Sequence, residues 1–270
     1  MVFGISTACF FPKVLNEDAI VILGKLGVRN TEVFFSCMYE YEPNYIKKLG
    51  TTAKDLGINI CSIHAYSMQF EPQLFSRHAR SRKEAFDIYR RVLSAGRKLG
   101  ADVYVFHGPV HLKKSQPLIL NFEQIADTVN VLSDMAKDYG IKLAWENVHY
   151  CWYNNPGFPE SLAPFIETDN LYFTLDIKQA AQAGYDPLCY IKPMAKRLAN
   201  VHICDYAQDD VYGITPKMPF NGTMDFVGLK KALLAARYDG AMILEVYSEN
   251  FADTGELMRN FESIKAFFKA

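Results

Sequence analysis

The sequence predicts a single domain over residues 1–270, an α/β barrel of eight parallel strands with helices between them, a (β/α)8 barrel. Three observations carry that expectation. Eight short, apolar segments alternate with stretches of helical periodicity. Each closes at its C-terminal end on polar or small residues, as buried parallel strands do when helices cover one side and a packed barrel interior the other. The length of 270 residues is close to the roughly 250 that such barrels take.

The strand segments are Val2–Ser6, Thr31–Ser36, Asn59–His64, Val103–His107, Lys142–Asn147, Leu171–Asp176, Asn200–Cys204 and Met242–Val246. Between them, Asn16–Leu26 places Ala19, Leu23 and Leu26 on one helical face, and Ser81–Leu99 does so with Ala85, Ile88, Val92, Ala95 and Leu99. Phe122–Tyr139 repeats the pattern with Ile125, Val129, Leu132 and Ala136, and Phe226–Arg237 and Glu256–Phe268 complete the series. Gly27, Gly57 and Gly100 each end a helix shortly before a strand, as glycine does where the chain must turn left-handed. Strand-to-helix connections are the long ones, notably Ala65–Arg80, Val148–Pro159 and Asp205–Thr223. In a barrel they share the face where active sites are built. The rival architecture, an open doubly wound sheet, lacks support because no GxGxxG pattern follows the first strand.

Half of the residues are apolar and the formal net charge is −1. A grip on nucleic acid through phosphates would call for a basic stripe. The nearest to one, Arg77, Arg80, Arg82, Lys83, Arg90 and Arg91, falls at helical spacing and reads as a solvated helix face. Six cysteines stand singly with no CxxC pair, which suits a reducing compartment. No stretch approaches the roughly 20 apolar residues of a membrane span, and the N-terminus has no secretory pattern. The expectation is a soluble cytoplasmic protein with no membrane or nucleic-acid partner; a homo-oligomer is left open.

Four strand ends carry metal-ligand side chains: Glu146, Asp176, His202 and Glu245, on strands five to eight. Alternation along a strand turns Ala144, Thr174, Cys204 and Ile243 inward with them, and Leu143, Trp145, Leu175, Val201 and Leu244 outward under the helices. Three carboxylates converging at one mouth repel unless they are protonated or bind a cation. Three oxygens and an imidazole suit Zn²⁺, Mn²⁺, Co²⁺ or Fe²⁺, with Mg²⁺ less favoured. His64 and His107 end strands three and four. They read either as hydrogen-bonded core residues or as groups in the same mouth that orient substrate or take a second metal bridged by Glu146.

With those residues in place the chain resembles the xylose-isomerase-like TIM-barrel superfamily of sugar-phosphate isomerases and epimerases, which also contains endonuclease IV. The resemblance spans essentially the whole chain. It rests on Trp-Glu-Asn at 145–147, Leu-Asp-Ile-Lys-Gln at 175–179 running into Ala-Gly-Tyr-Asp at 183–186, Val-His-Ile-Cys-Asp at 201–205, Ile-Leu-Glu at 243–245, and Asn221-Gly222-Thr223 before Asp225-Phe226. It implies that Glu146, Asp176, His202 and Glu245 hold a divalent metal, with His64 and His107 in the places of the extra histidines of endonuclease IV. It also implies proton removal next to a ketose carbonyl through an enediolate, with Glu146 and Glu245 as the acid/base pair. Many members carry His where this chain has Gln179, and the Asp-x-His pair of the nuclease has no counterpart in Asp205–Thr223, which weighs against DNA repair.

The expected partner is a small carbohydrate. Glu32, inward by parity, Tyr66, His149, Trp152, Lys178 and Gln179 are candidates to touch it; Glu32 equally reads as a partner of a pocket cation or as a structural residue. Lys178 could neutralise a phosphate or an enediolate oxygen, and phosphorylated and free sugars both stay open. Alternatives to the isomerase or epimerase are an inosose-type dehydratase, an abasic-site endonuclease and a catalytically silent binding barrel.

Overall fold

The computed structural model describes residues 1–111, 118–211 and 213–269. Strands β1 (Val2–Ser6), β2 (Asn30–Phe34), β3 (Asn59–His64), β4 (Val103–Phe106), β5 (Lys142–Glu146), β6 (Leu171–Asp176), β7 (Leu198–Ile203) and β8 (Ala241–Leu244) close into one barrel in chain order. All neighbours pair in parallel, and β8 returns to β1 through Val2↔Ala241 to Ile5↔Leu244. Closure excludes the open sheet and leaves no free edge.

The expected alternation holds along the strands. Leu143, Trp145, Leu175, Val201 and Leu244 belong to the main apolar layer shared with the helices. Ala144 instead joins Val103 and Val105 in a separate small cluster, with Tyr172 and Ala199 against it, which plugs the barrel towards the N-terminal ends of its strands. Cys204 departs from the parity expectation: β7 ends at Ile203, so alternation no longer governs Cys204, and it packs in the main apolar layer.

Above the apolar plug the interior turns polar, with Ser6, Glu32, Ser62, Thr174 and Asn200 all fully buried. Two irregularities set this layer. The register slips between Thr31 and Glu32, so that Glu32 faces Ser62, and again between Phe173 and Thr174, so that Thr174 faces Asn200. Slips of this kind re-aim side chains next to functional sites.

Helices alternate with the strands and end as their sequences dictate. Ala79–Leu99 stops at Gly100, whose φ of +80° a residue with a Cβ adopts only at a cost. Phe122–Asp138 starts on Asn121 and Phe226–Ala235 on Asp225, each side chain accepting a backbone N–H of the first turn. The helix Ile177–Gln182 begins directly at the end of β6, with Asp176 as its cap. The long connection after β7 folds as an antiparallel hairpin, Asp205–Asp209 against Gly213–Lys217. The buried Asp205 carboxylate accepts from the amides of Tyr206, Gly222 and Met224 and ties the hairpin to the 221–224 turn. Among the described residues no helix is long and apolar enough to cross a membrane, and the six cysteines are unpaired.

Candidate metal centre

Glu146, Asp176, His202 and Glu245 converge at the C-terminal mouth of the barrel. His202 Nδ1 lies 3.1 Å from Glu146 Oε1, 3.3 Å from Glu245 Oε2 and 3.8 Å from Asp176 Oδ2. The side chains of Glu146, Asp176 and His202 are nearly sealed, at 2 %, 2 % and 1 % exposed, whereas Glu245 and His107 keep 10 % and 11 %, so approach is from their side. The donor set fits a divalent cation. Glu245 Oε2 is buried without a hydrogen-bond partner. Burial pushes the Glu245 carboxyl up to about 7 against the pull of His202 and Lys178, and Glu32 and Glu146 push the same way. A cation among these oxygens would relieve that repulsion.

Each candidate ligand is fixed from behind. Asp176 divides its carboxylate: Oδ1 accepts from the Gln179 amide at 2.7 Å and caps the following helix, leaving Oδ2 for the cluster. Asn147 bonds both backbone groups of Asp176, accepting from its N–H at 2.8 Å and donating to its carbonyl at 2.9 Å, which locks the end of β5 to the end of β6. The Glu245 amide donates to Ile203 O at 3.1 Å, just past the last residue of β8. His202 is held through its other nitrogen, Nε2, which donates to Glu32 Oε2 at 3.1 Å.

Glu32 therefore meets the cluster through His202 Nε2, and its carboxylate lies close enough to His202 and Glu245 to share a cation with them. It is fully buried, and Ser6, Ser62 and Asn200 donate to it at 3.3, 2.7 and 3.1 Å. Burial alone would raise its pKa, but the His202 imidazole and its hydrogen bond bring it down to about 2, with the Ser62 hydrogen bond contributing. In turn, the carboxylates of Glu245, Glu32 and Glu146 outweigh burial and hold a proton on His202 well above its usual range.

A second group adjoins the first through Glu146. Its Oε2 is 2.6 Å from His107 Nε2, and His107 Nε2 is 2.7 Å from His64 Nε2. Burial and the neighbouring His107 bring His64 down to about 3, so its imidazole is neutral. The pair meets with ring nitrogens face to face, an arrangement that a shared cation would satisfy. Sequence reasoning missed what places His107. Glu71 accepts from the amides of His107 and Gly108, both at 2.8 Å, and from the Tyr104 hydroxyl; burial raises its carboxyl to about 7. Trp145 Nε1 donates to His107 O at 3.0 Å. Gly108, at φ +73°, lies against that indole, where a Cβ would come within 2.9 Å of the ring. The only signal was Glu71 standing as the single acidic residue of the stretch Ala65–Arg80.

The remaining candidates separate. His149 Nδ1–H donates to Gln179 Oε1 at 2.6 Å, which leaves the Gln179 amide nitrogen without a hydrogen bond among the described residues. Lys178 is buried beside Asp176 and Glu245. Tyr66 stands exposed on the rim, its ring 6.3 Å from that of Phe34, which packs 5.2 Å from His64. Trp152 does not join the cluster: it packs against Phe75, ring centroids 5.4 Å apart, and borders a cavity with Arg77 and Arg82 on the outer side.

The sequence pattern of the xylose isomerase-like TIM barrel family matches residues 22–267. The chain belongs to this family. Among relatives, the uncharacterized protein MJ1311 of Methanocaldococcus jannaschii is 26 % identical over 267 residues, covering 91 % of this chain and 83 % of that protein. Among solved structures, D-psicose 3-epimerase with D-tagatose from Clostridium cellulolyticum H10 superposes with a TM-score of 0.82 at 18 % identity, covering 100 % of this chain and 98 % of that one. The IolI protein with a zinc atom superposes with a TM-score of 0.79 at 18 % identity, covering 99 % and 98 %. These neighbours share the fold, and several others with it are named as sugar epimerases.

Proposed function

We propose that this chain is a metal-dependent epimerase or isomerase of ketoses or related polyol ketones, working through an enediolate. The observation that carries the reading is the convergence of two glutamates, an aspartate and a histidine from four consecutive strand ends, with Glu146 and Glu245 both reaching His202 Nδ1. Family membership and sugar-epimerase neighbours support it.

Glu146, Asp176, His202 and Glu245 would hold the cation, which supplies Lewis-acid polarisation of a carbonyl and stabilises charge on its oxygen. The protein does the rest. Glu146 and Glu245, rooted on β5 and β8, flank the bound ketone from different sides. One removes the proton next to the carbonyl and the other returns it. The sealed side chains of Asp176 and His202 fix the geometry, and the near-dry site strengthens every charge interaction within it. Gln179, its oxygen spent on His149, offers an amide N–H to a substrate oxygen. His64, His107 and Glu146 would take a second cation, and metal count decides that point.

Elemental analysis of the purified protein, followed by D-tagatose, D-fructose and D-psicose in D₂O with and without chelator, tests the reading. The expected result is bound transition metal and chelator-sensitive deuterium entry next to the carbonyl. Loss of water from an inosose-type ketone would move the assignment to a dehydratase. Metal content near zero that does not rise with Mn²⁺ or Zn²⁺ would remove the central claim.

A further inference from the structure

Lys178 occupies a place that local physical chemistry disfavours. It lies in the first turn of the helix Ile177–Gln182, at the positive end of the helix dipole, where cations are unfavourable. Its side chain is 3 % exposed. Its three N–H donors make no hydrogen bond among the described residues: the nearest carboxylate oxygens, Asp176 Oδ2 and Glu245 Oε1, lie at 3.6 and 3.9 Å, beyond hydrogen-bond reach. Above it the ring of Tyr247, half exposed, covers Nζ at 4.7 Å. The ammonium thus borders the gap between two candidate metal ligands, charged and with its donors unspent. A buried ammonium in that condition is costly unless a ligand oxygen completes it.

We propose that Lys178 is a catalytic residue: its ammonium donates a hydrogen bond to the ketone oxygen, or to the hydroxyl oxygen next to it, and holds the negative charge that grows there. This rests on the epimerase reading. In the step, the C–H bond next to the carbonyl breaks and its proton passes to one glutamate. The C–H electron pair forms the C=C bond of the enediolate, and the carbonyl π pair moves onto oxygen. Lys178 keeps its protons throughout, and the second glutamate returns a proton to the opposite face. No oxidant or reductant enters. The substrate class is a ketone carrying a vicinal hydroxyl, whose two oxygens face the metal cluster and Nζ together.

The test separates contact from scaffolding, because an ammonium and a bound cation repel each other. In K178M, Mn²⁺ titrated into metal-free protein should bind at least as tightly as in the parent. Deuterium exchange of D-tagatose, D-fructose or D-psicose at saturating Mn²⁺ should fall about 10²–10³-fold in kcat, the usual cost of removing one donor to a developing oxyanion. K178R should recover part of that loss. Exchange within threefold of the parent in K178M, or Mn²⁺ binding lost in step with activity, would overturn the proposal. If K178M does not fold, K178Q decides: kcat within threefold of the parent, with Mn²⁺ binding retained, would overturn the proposal. A parent that binds Mn²⁺ yet exchanges none of the three ketoses removes the epimerase reading, and this inference with it. Loss of exchange confined to the variant leaves the epimerase reading standing.

Discussion

Replacing Glu32 by glutamine alters one charge and almost no volume at a site fully shut off from solvent. The amide oxygen can occupy the position of Oε2, where it still accepts from His202 Nε2 (3.1 Å), Ser62 (2.7 Å) and Asn200 (3.1 Å). The amide nitrogen then faces the Ser6 hydroxyl, 3.3 Å away, which can turn to accept. Only the Ser6 O–H and one amide N–H lose an acceptor, so the fold survives and the loss is mainly electrostatic. His202 without an anionic partner is a poorer ligand, and removing such a partner costs about 10–100-fold in metal affinity, or about 1.4–2.7 kcal/mol. Calorimetric titration of metal-free protein with Mn²⁺ reads this directly, with the thermal midpoint of the metal-free form as the control for folding. E32A, which leaves Ser62, Asn200 and His202 without an acceptor, should lose more in both measurements. Equal Mn²⁺ affinity in E32Q and the parent would refute the reasoning, since His202 could not then be a ligand tuned through Nε2.

Three further outcomes follow from the same geometry. E245Q at saturating Mn²⁺ should lower ketose exchange by about 10²–10⁴-fold, the range for a lost general acid or base, while full activity would take Glu245 out of the chemistry. N147A strands the buried N–H and carbonyl of Asp176 and should cost about 2–4 kcal/mol of stability, read as a lower urea midpoint together with weaker Mn²⁺ binding. The metal-free protein should lose stability as pH rises from about 6.5 to 7, above the range in which His64, brought down to about 3 by burial, offsets the buried carboxyls. Glu245 and Glu71 both titrate near 7 when folded because burial opposes their charge, so their contribution is complete below the unfolded carboxylate range and gone above 7, on the order of 3 kcal/mol each. His64 acts oppositely between about 3 and 6.5, and Glu32 does so at low pH, its stabilisation vanishing as pH falls towards 2. The rise in thermal midpoint on adding Mn²⁺ should therefore grow between pH 5 and 7.5, and a pH-independent rise would count against a cation settling beside Glu245.

What the sequence disclosed follows from the range of the physics involved. Strand positions were legible because helices covering a closed barrel force Leu143, Trp145, Leu175, Val201 and Leu244 to be apolar, and the inward parity of Glu146, Asp176 and His202 followed from local alternation. Less legible were features that depend on partners far along the chain. Glu32 pairs with residue 202 and with residue 200, a separation of 168, and no local pattern marks that. The roles of Asn147 and Glu71 likewise reside in backbone groups of other strands. The helix Pro43–Asp55 went unassigned although Gly57 was read as a helix stop, because Gly50-Thr51-Thr52 within it are weak helix formers. The hairpin after β7 carried no two-residue turn signature.

Trp145 and Trp152 are the chain's two tryptophans, and both indoles lie on Phe75, at 6.2 and 5.4 Å between ring centroids. The tryptophan emission of this protein therefore originates from a single patch behind the end of β4. Trp145 is hydrogen-bonded to the carbonyl of His107. An ion settling against that histidine is thus one residue's backbone away from the dominant buried fluorophore, which equips the native chain with its own optical reporter for the His64–His107 side of the mouth.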